Sequence, residues 1–236
     1  MKRKKSNPAT WAIFLLVLPA TLILGSKMSG RWYYLTSTLM VVELMIPFFL
    51  TFEGRKPQAR ELVILAVMCA LAVAARVAIP IPNFKAIFAV IMIAGIAFGP
   101  ESGFLVGAVA ALSSNFFFSQ GPYTPWQMMA YGAGGMLAGI VFRRGRLPRK
   151  PMVMAIVGFL GVAWIVGPLL DTCTLFLAPI TINLKNICLI YASGFPMNLV
   201  QAGSTAAVLL VLGRPMLEKL ERIQRKYGML EGSDSF

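Results

Sequence analysis

The chain has 236 residues, of which 58% are hydrophobic and only 13% charged. A soluble domain carries roughly a quarter charged residues, so an ordinary water-soluble fold is excluded, and continuous apolar runs exclude a transmembrane β-barrel, whose segments alternate. The formal net charge of +13 raises nucleic acid as a partner, but the basic residues sit in short loops between apolar runs and act as a topology signal instead.

In chain order, the sequence predicts an all-α, polytopic transmembrane helical bundle of about eight spans, several of them near the ~20 residues that cross a ~30 Å hydrocarbon core. They are expected near 11–27, 33–52, 62–79, 84–98, 102–118, 126–142, 152–171 and 187–212. Apolar segments continue to residue 212, so a cleaved signal peptide does not explain them. Turn and charge signals separate the spans: GSKMSGR, EGRKPQAR, PIPN, GPES, SQGPYTP, RRGRLPRKP and the loop 172–186. Three parts follow: a two-span extension with its linker (1–61), a six-helix core (62–212) and a basic C-terminal tail (213–236).

With the N-terminus placed in the cytoplasm, 17 of the 22 lysines and arginines fall on the inner side. Lys27, Arg31, Lys85 and Lys185 fall outside, and Arg76 lies within a span. This bias predicts a multi-pass plasma-membrane protein with both termini cytoplasmic. The fourth and fifth spans are short and Gly/Ala/Ser-rich, which suits two closely packed spans; a re-entrant hairpin would return the chain to the same side.

The third span, "ELVILAVMCALAVAARVAIP", places Ala66, Ala70 and Ala74 at four-residue spacing on one helix face. Such a smooth face suits close helix contact, either within the chain's own bundle or against another protein. Ionisable residues in the spans are few: Glu43, Arg76 and, at an outer end, Asp171. A charge at the bilayer centre costs at least ~2.5–3.5 kcal/mol, so each needs a partner. Arg76 is near enough to the outer end to snorkel outward; a structural pair with Asp171 is the simpler expectation, and an anionic group on a ligand the sharper one. Glu43 is expected to be protonated against a neighbour, since no second carboxylate or histidine offers a proton relay. Asn198 and Gln201 need buried partners and read as structural.

Histidine is absent, which removes the commonest general base and metal ligand. Cys69, Cys173 and Cys188 lack metal-like spacing, and an inert apolar role suits them better than a Cys173–Cys188 bridge. "GAGGMLAG" is packing glycine rather than a phosphate cradle, because it lacks the lysine of a P-loop.

The outermost turn of the fifth and sixth spans reads "SQGPYTPWQMMAYG". With Asn115 just before it, the stretch gathers Gln120, Tyr123, Thr124, Trp126 and Gln127 at one level. Interfacial anchoring accounts for Trp126 and Tyr123 but not for the amides. "PIPNFK" brings Asn83, Phe84 and Lys85 across the mouth, and Asn186 and Tyr191 approach from the last connection, beside Asn183. Convergence of amides and aromatic faces predicts a ligand pocket, with Arg76 at its edge.

These stretches, with "FKAIFAVIMIAGIAFGPESGFLVGAVAALSSNFFFSQGPYTPWQMMAYG" and "SGFPMNL…RPMLEKLERIQRKYG", resemble the S component of an energy-coupling factor (ECF) transporter over roughly residues 62–212. The resemblance implies a substrate-specific membrane subunit of an ABC-type importer, not an enzyme. It would capture a vitamin outside the cell and partner with a transmembrane coupling subunit and two ATPase subunits, which use the ATP; this chain would bind no cofactor and no metal. It also implies that Ala66 and Ala70, with Ala74 beside them, face the coupling subunit. Within the family the arrangement is most like the cobalamin-type S components, which often carry extra N-terminal hydrophobic segments. A stand-alone secondary transporter of a small organic solute is the alternative, though internal repeats are not evident. An intramembrane enzyme would need a nucleophile–base pair or metal ligands.

Overall fold

The computed structural model describes residues 20–21, 31–54, 58–79, 81–82, 84–178 and 180–227. Among the described residues there is no strand. Seven long helices follow in order: α1 Arg31–Glu53, α2 Ala59–Val77, α3 Ile87–Phe98, α4 Pro100–Phe118, α5 Thr124–Phe142, α6 Pro151–Leu177 and α7 Leu184–Lys226. The expected first span lies outside the described residues except at Ala20 and Thr21, so the count of about eight is not established. Three helices, α4, α6 and α7, are long and apolar enough to cross a membrane. Exposed Phe116, Phe117, Ile156, Trp164, Leu189 and Val211 give the bundle an apolar outer surface, as lipid contact requires.

The short fourth segment is the centre of the molecule. It begins three residues later than expected, and its 12 residues rise only about 18 Å. Every residue from Ile87 to Ile96 is buried, and α2, α4, α5 and α7 all pack against it. A helix that is apolar all round and enclosed by neighbours need not match the bilayer thickness.

Glycines set the spacing around it. A Cβ added at Gly103 of α4 would stand 2.6 Å from the Gly95 Cα of α3 and 2.7 Å from the Gly135 carbonyl carbon of α5. One at Gly139 would stand 2.6 Å from the Pro100 Cα. In lipid, helices associate through close packing of small residues, and here three backbones meet along one seam. The "GAGGMLAG" stretch is therefore packing glycine. The α3–α4 turn itself needs Gly99, at φ 94°, with Pro100 opening α4.

α6 extends to Leu177, six residues beyond the expected end, through a π turn at Val162–Val166 in which Gly167 N–H reaches the Val162 carbonyl. Pro168 follows at once; its ring crowds the carbonyl one turn back, and a wider turn relieves that contact. α7 also departs from expectation. Its 43 residues rise about 65 Å, so the helix continues without a break through residue 212 and Pro215. The segment after 212 is thus, as far as Lys226, the same helix. Leu217, Leu220 and Gln224 are buried there, and Gln224 Nε2 donates to the Ala97 carbonyl at 2.9 Å, which ties the tail beneath α3.

Two ends result. One, the mouth end, carries residues 78–79, 81–82, 84–86, 119–123, 178 and 180–183; the other, the basic end, carries 99, 143–150 and the end of α7. α1 lies against α4, α5 and α6, burying Met45 with Phe104 and Ala108. The buried Glu43 accepts from Thr21 Oγ1 at 2.8 Å. The three cysteines are free; Cys173 is buried and Cys188 exposed.

A candidate ligand-binding mouth

Asn115, fully buried in the last turn of α4, joins three helices. Its Oδ1 accepts from Arg76 Nη1 of α2 at 2.9 Å. Its Nδ2 donates to Gln127 Oε1 at 2.8 Å and to Thr124 Oγ1 at 3.2 Å, both on α5. Thr124 Oγ1 donates to Gln120 Oε1 at 2.9 Å and accepts from Gly121 N at 3.2 Å, while Gln120 Nε2 donates to the Leu112 carbonyl at 3.0 Å. The proline-bearing turn is therefore a fixed structure. Ser119 at its start has φ 81° and ψ 145°, a region nearly reserved for glycine that costs about 1–3 kcal/mol. Tyr123 OH, donating to the Ser119 carbonyl at 2.8 Å, holds it there. Thr38 of α1 reaches the same turn, Oγ1 donating to the Pro122 carbonyl at 3.4 Å.

Arg76 does not pair with Asp171. It donates to Ser114 Oγ as well as to Asn115, and its guanidinium carbon lies 4.8 Å from the Phe118 ring centroid and 5.5 Å from that of Tyr131. Asp171 instead accepts from Asn198 Nδ2 at 2.7 Å. The reason is topological: α2 packs on α3 and α4, whereas Asp171 points from α6 to α7, where Gly194 leaves room for its carboxyl. Asn198 thereby gains the buried partner expected of it. Lys85 comes to the Arg76 side, with its Nζ 5.8 Å from the Phe118 centroid and donating to the Ile79 carbonyl. Its own carbonyl accepts from Ser204 Oγ of α7 at 3.0 Å.

Of the sequence-predicted residues, Arg76, Lys85, Asn115, Gln120, Tyr123, Thr124 and Gln127 are brought together at the tips of α2, α4 and α5. Phe84 is half-buried beside Lys85, and Asn83 lies outside the described residues. Asn186 and Tyr191 stand apart on α7: Asn186 is held by Asn183 and Thr181, and Tyr191 OH meets Thr172 Oγ1 of α6 at 2.7 Å. Trp126 is buried behind the network, stacked on Phe176 at 5.5 Å in a cluster with Val41 and Cys173, and its Nε1 has no hydrogen-bond partner. Sequence reasoning misses Ser114, Phe118 and Tyr131. The first two flank Asn115 within the "SSNFFF" tract; nothing marks Tyr131.

On α2 the buried residues are Leu65, Met68 and Ala72. Ala66, Ala70 and Ala74 are exposed, beside exposed Leu62, Val63, Val67 and Leu71. Among the described residues, the small-residue face is therefore not spent on packing.

A family model described as "ECF-type riboflavin transporter, S component" matches residues 56–219, which spans α2 to most of α7 and leaves out α1. No curated protein and no solved structure is a match. The description names riboflavin, so the cobalamin-type expectation gains no support from it.

Proposed function

The chain belongs to the ECF-type riboflavin transporter S component family, and from that premise we propose that it captures a flavin at its mouth end for import. As a family member it is the substrate-specific subunit of a membrane transporter rather than an enzyme, and it works with an ECF coupling and ATPase module. The vitamin, the orientation and the residues involved are our reading.

The Arg76–Asn115–Gln127 network carries that reading. It concentrates amide, hydroxyl and guanidinium groups at one end of the bundle, beside the short buried α3. An aromatic heterocycle with ring carbonyls and a hydroxylated side chain suits such a site: the exposed Phe118 offers a flat face, and the network offers donors and acceptors. Trp126 supports the wall from behind rather than stacking freely, because Phe176 occupies one of its faces. The positive-inside bias turns the mouth end outward. The coupling subunit docks on the exposed Ala66, Ala70 and Ala74 face, where small side chains let two backbones approach. ATP is bound and hydrolysed by the partner subunits.

Equilibrium binding by the purified protein against a vitamin panel tests the substrate. Riboflavin is expected to bind saturably and cobalamin not at all. Saturable cobalamin binding with none of riboflavin would restore the expectation drawn from the resemblance and end the flavin reading.

A further inference from the structure

Arg76 and Lys85 come from different elements, the last turn of α2 and the segment just before α3, yet both stand within 6 Å of one ring centroid, that of Phe118. Both are half-buried. Every partner they have among the described residues is neutral: Ser114 Oγ and Asn115 Oδ1 for Arg76, the Ile79 carbonyl for Lys85. The chain's nine acidic residues do not answer them. Glu218 and Glu221 are ion-paired at the other end, Glu43 accepts from Thr21, and Asp171 accepts from Asn198 between α6 and α7. Glu61 meets Ser102 where α2 begins, Glu53 and Glu101 stand where α1 ends and α4 begins, and the remaining two lie outside the described residues.

Two cations gathered around one ring in a partly desolvated place repel, and neutral oxygens answer that repulsion only in part. The first turn of α3 opens two residues after Lys85 and adds the partial positive charge of a helix N-terminus, whose free N–H groups favour an anion. Guanidinium and ammonium together suit a phosphate or carboxylate, one by a planar fork and the other as a point charge.

We infer that Arg76 and Lys85 receive an anionic group of the captured molecule, so that the preferred ligand is a phosphorylated flavin rather than the neutral vitamin. The identity of the ring system rests on the flavin reading above; the charge rests on this pair alone.

The test uses purified protein in a neutral, phosphate-free detergent, with riboflavin and its 5′-phosphate, flavin mononucleotide, as probes that differ only in the anion. The mononucleotide should bind roughly tenfold tighter or more. That ratio should collapse toward unity in Arg76→Gln and in Lys85→Gln, and fall with added salt in the wild type. Equal affinity for the two probes, or a ratio unchanged by both substitutions, overturns the inference. Lys85→Gln keeps it testable should Arg76→Gln lose its fold along with the Asn115 contact. If neither flavin binds, the flavin reading fails, and inorganic phosphate alone decides the charge. A saturable rise in Tm in the wild type that Lys85→Gln lacks upholds the anion site; no rise overturns it. A phosphate response abolished by added phosphatidylglycerol assigns the pair to a lipid headgroup and overturns it as well.

Discussion

At the basic end two of the chain's cations are answered by its own carboxylates. Arg149 meets Glu221 at 2.7 Å and Arg214 meets Glu218 at 2.9 Å, around an open cleft also lined by Lys150 and Leu217. At the mouth end Arg76 and Lys85 lean on neutral oxygens and on the Phe118 ring. The difference separates two uses of positive charge. Exposed, internally paired cations serve topology and solubility, and each pair adds at most about 1 kcal/mol. Half-buried cations without a carboxylate are, on the inference above, held for an anion that is not part of the chain.

The largest expected effect bears on neither end but on the face between them. Ala70→Trp should abolish uptake in cells while ligand binding by the isolated protein persists, because Ala70 is exposed on α2 and outside the network. Copurification with the coupling subunit at wild-type yield would move the docking surface elsewhere. Next comes the seam that holds the mouth over α3. Gly103→Val should remove folded protein, since its Cβ would meet backbone of both α3 and α5 that cannot yield. Gly203→Ala on α7, where a Cβ meets nothing within 4 Å, should fold at least as well as wild type, and size-exclusion profiles compare them.

A smaller effect contrasts the two ends directly. Asn115→Ala strands Gln127 and Arg76, and a buried amide left unpaired costs about 1–3 kcal/mol, so ligand affinity should fall roughly tenfold or more. Arg149→Gln, which breaks an exposed pair at the basic end, should leave the Kd unchanged and lower stability by less than about 1 kcal/mol. Titrations and melting curves on the two variants measure both quantities. Equal losses of affinity would erase the distinction between the ends.

Much of this architecture is legible in the amino-acid sequence. Span length and apolar periodicity locate α1 to α7 to within a few residues at most ends, because lipid leaves the backbone no choice but helix. Seven of the expected mouth residues gather at the tips of α2, α4 and α5, because Asn115 and the 119–127 turn are near neighbours in sequence. Long-range partners are not legible. Arg76 and Asp171 are the obvious opposite charges, yet α2 packs on α3 and α4, which puts Arg76 beside Ser114 rather than Asp171. The end of α7 escapes sequence reasoning because Pro215 and the basic residues resemble a stop, whereas Leu217, Leu220 and Gln224 keep one face buried. Trp126 reads as a pocket wall because a sequence does not reveal that Phe176 covers it.

The central claim, that the mouth end faces the exterior and receives the ligand, is tested most directly by site-directed thiol labelling in intact cells. After replacement of the native cysteines, Ser119→Cys and Leu147→Cys are exposed in turn to a membrane-impermeant maleimide, with and without flavin. The account predicts labelling at position 119 that flavin slows, and none at position 147 until the membrane is opened. Labelling at 147 in intact cells with 119 protected by the membrane would contradict it, taking the orientation and the binding face together.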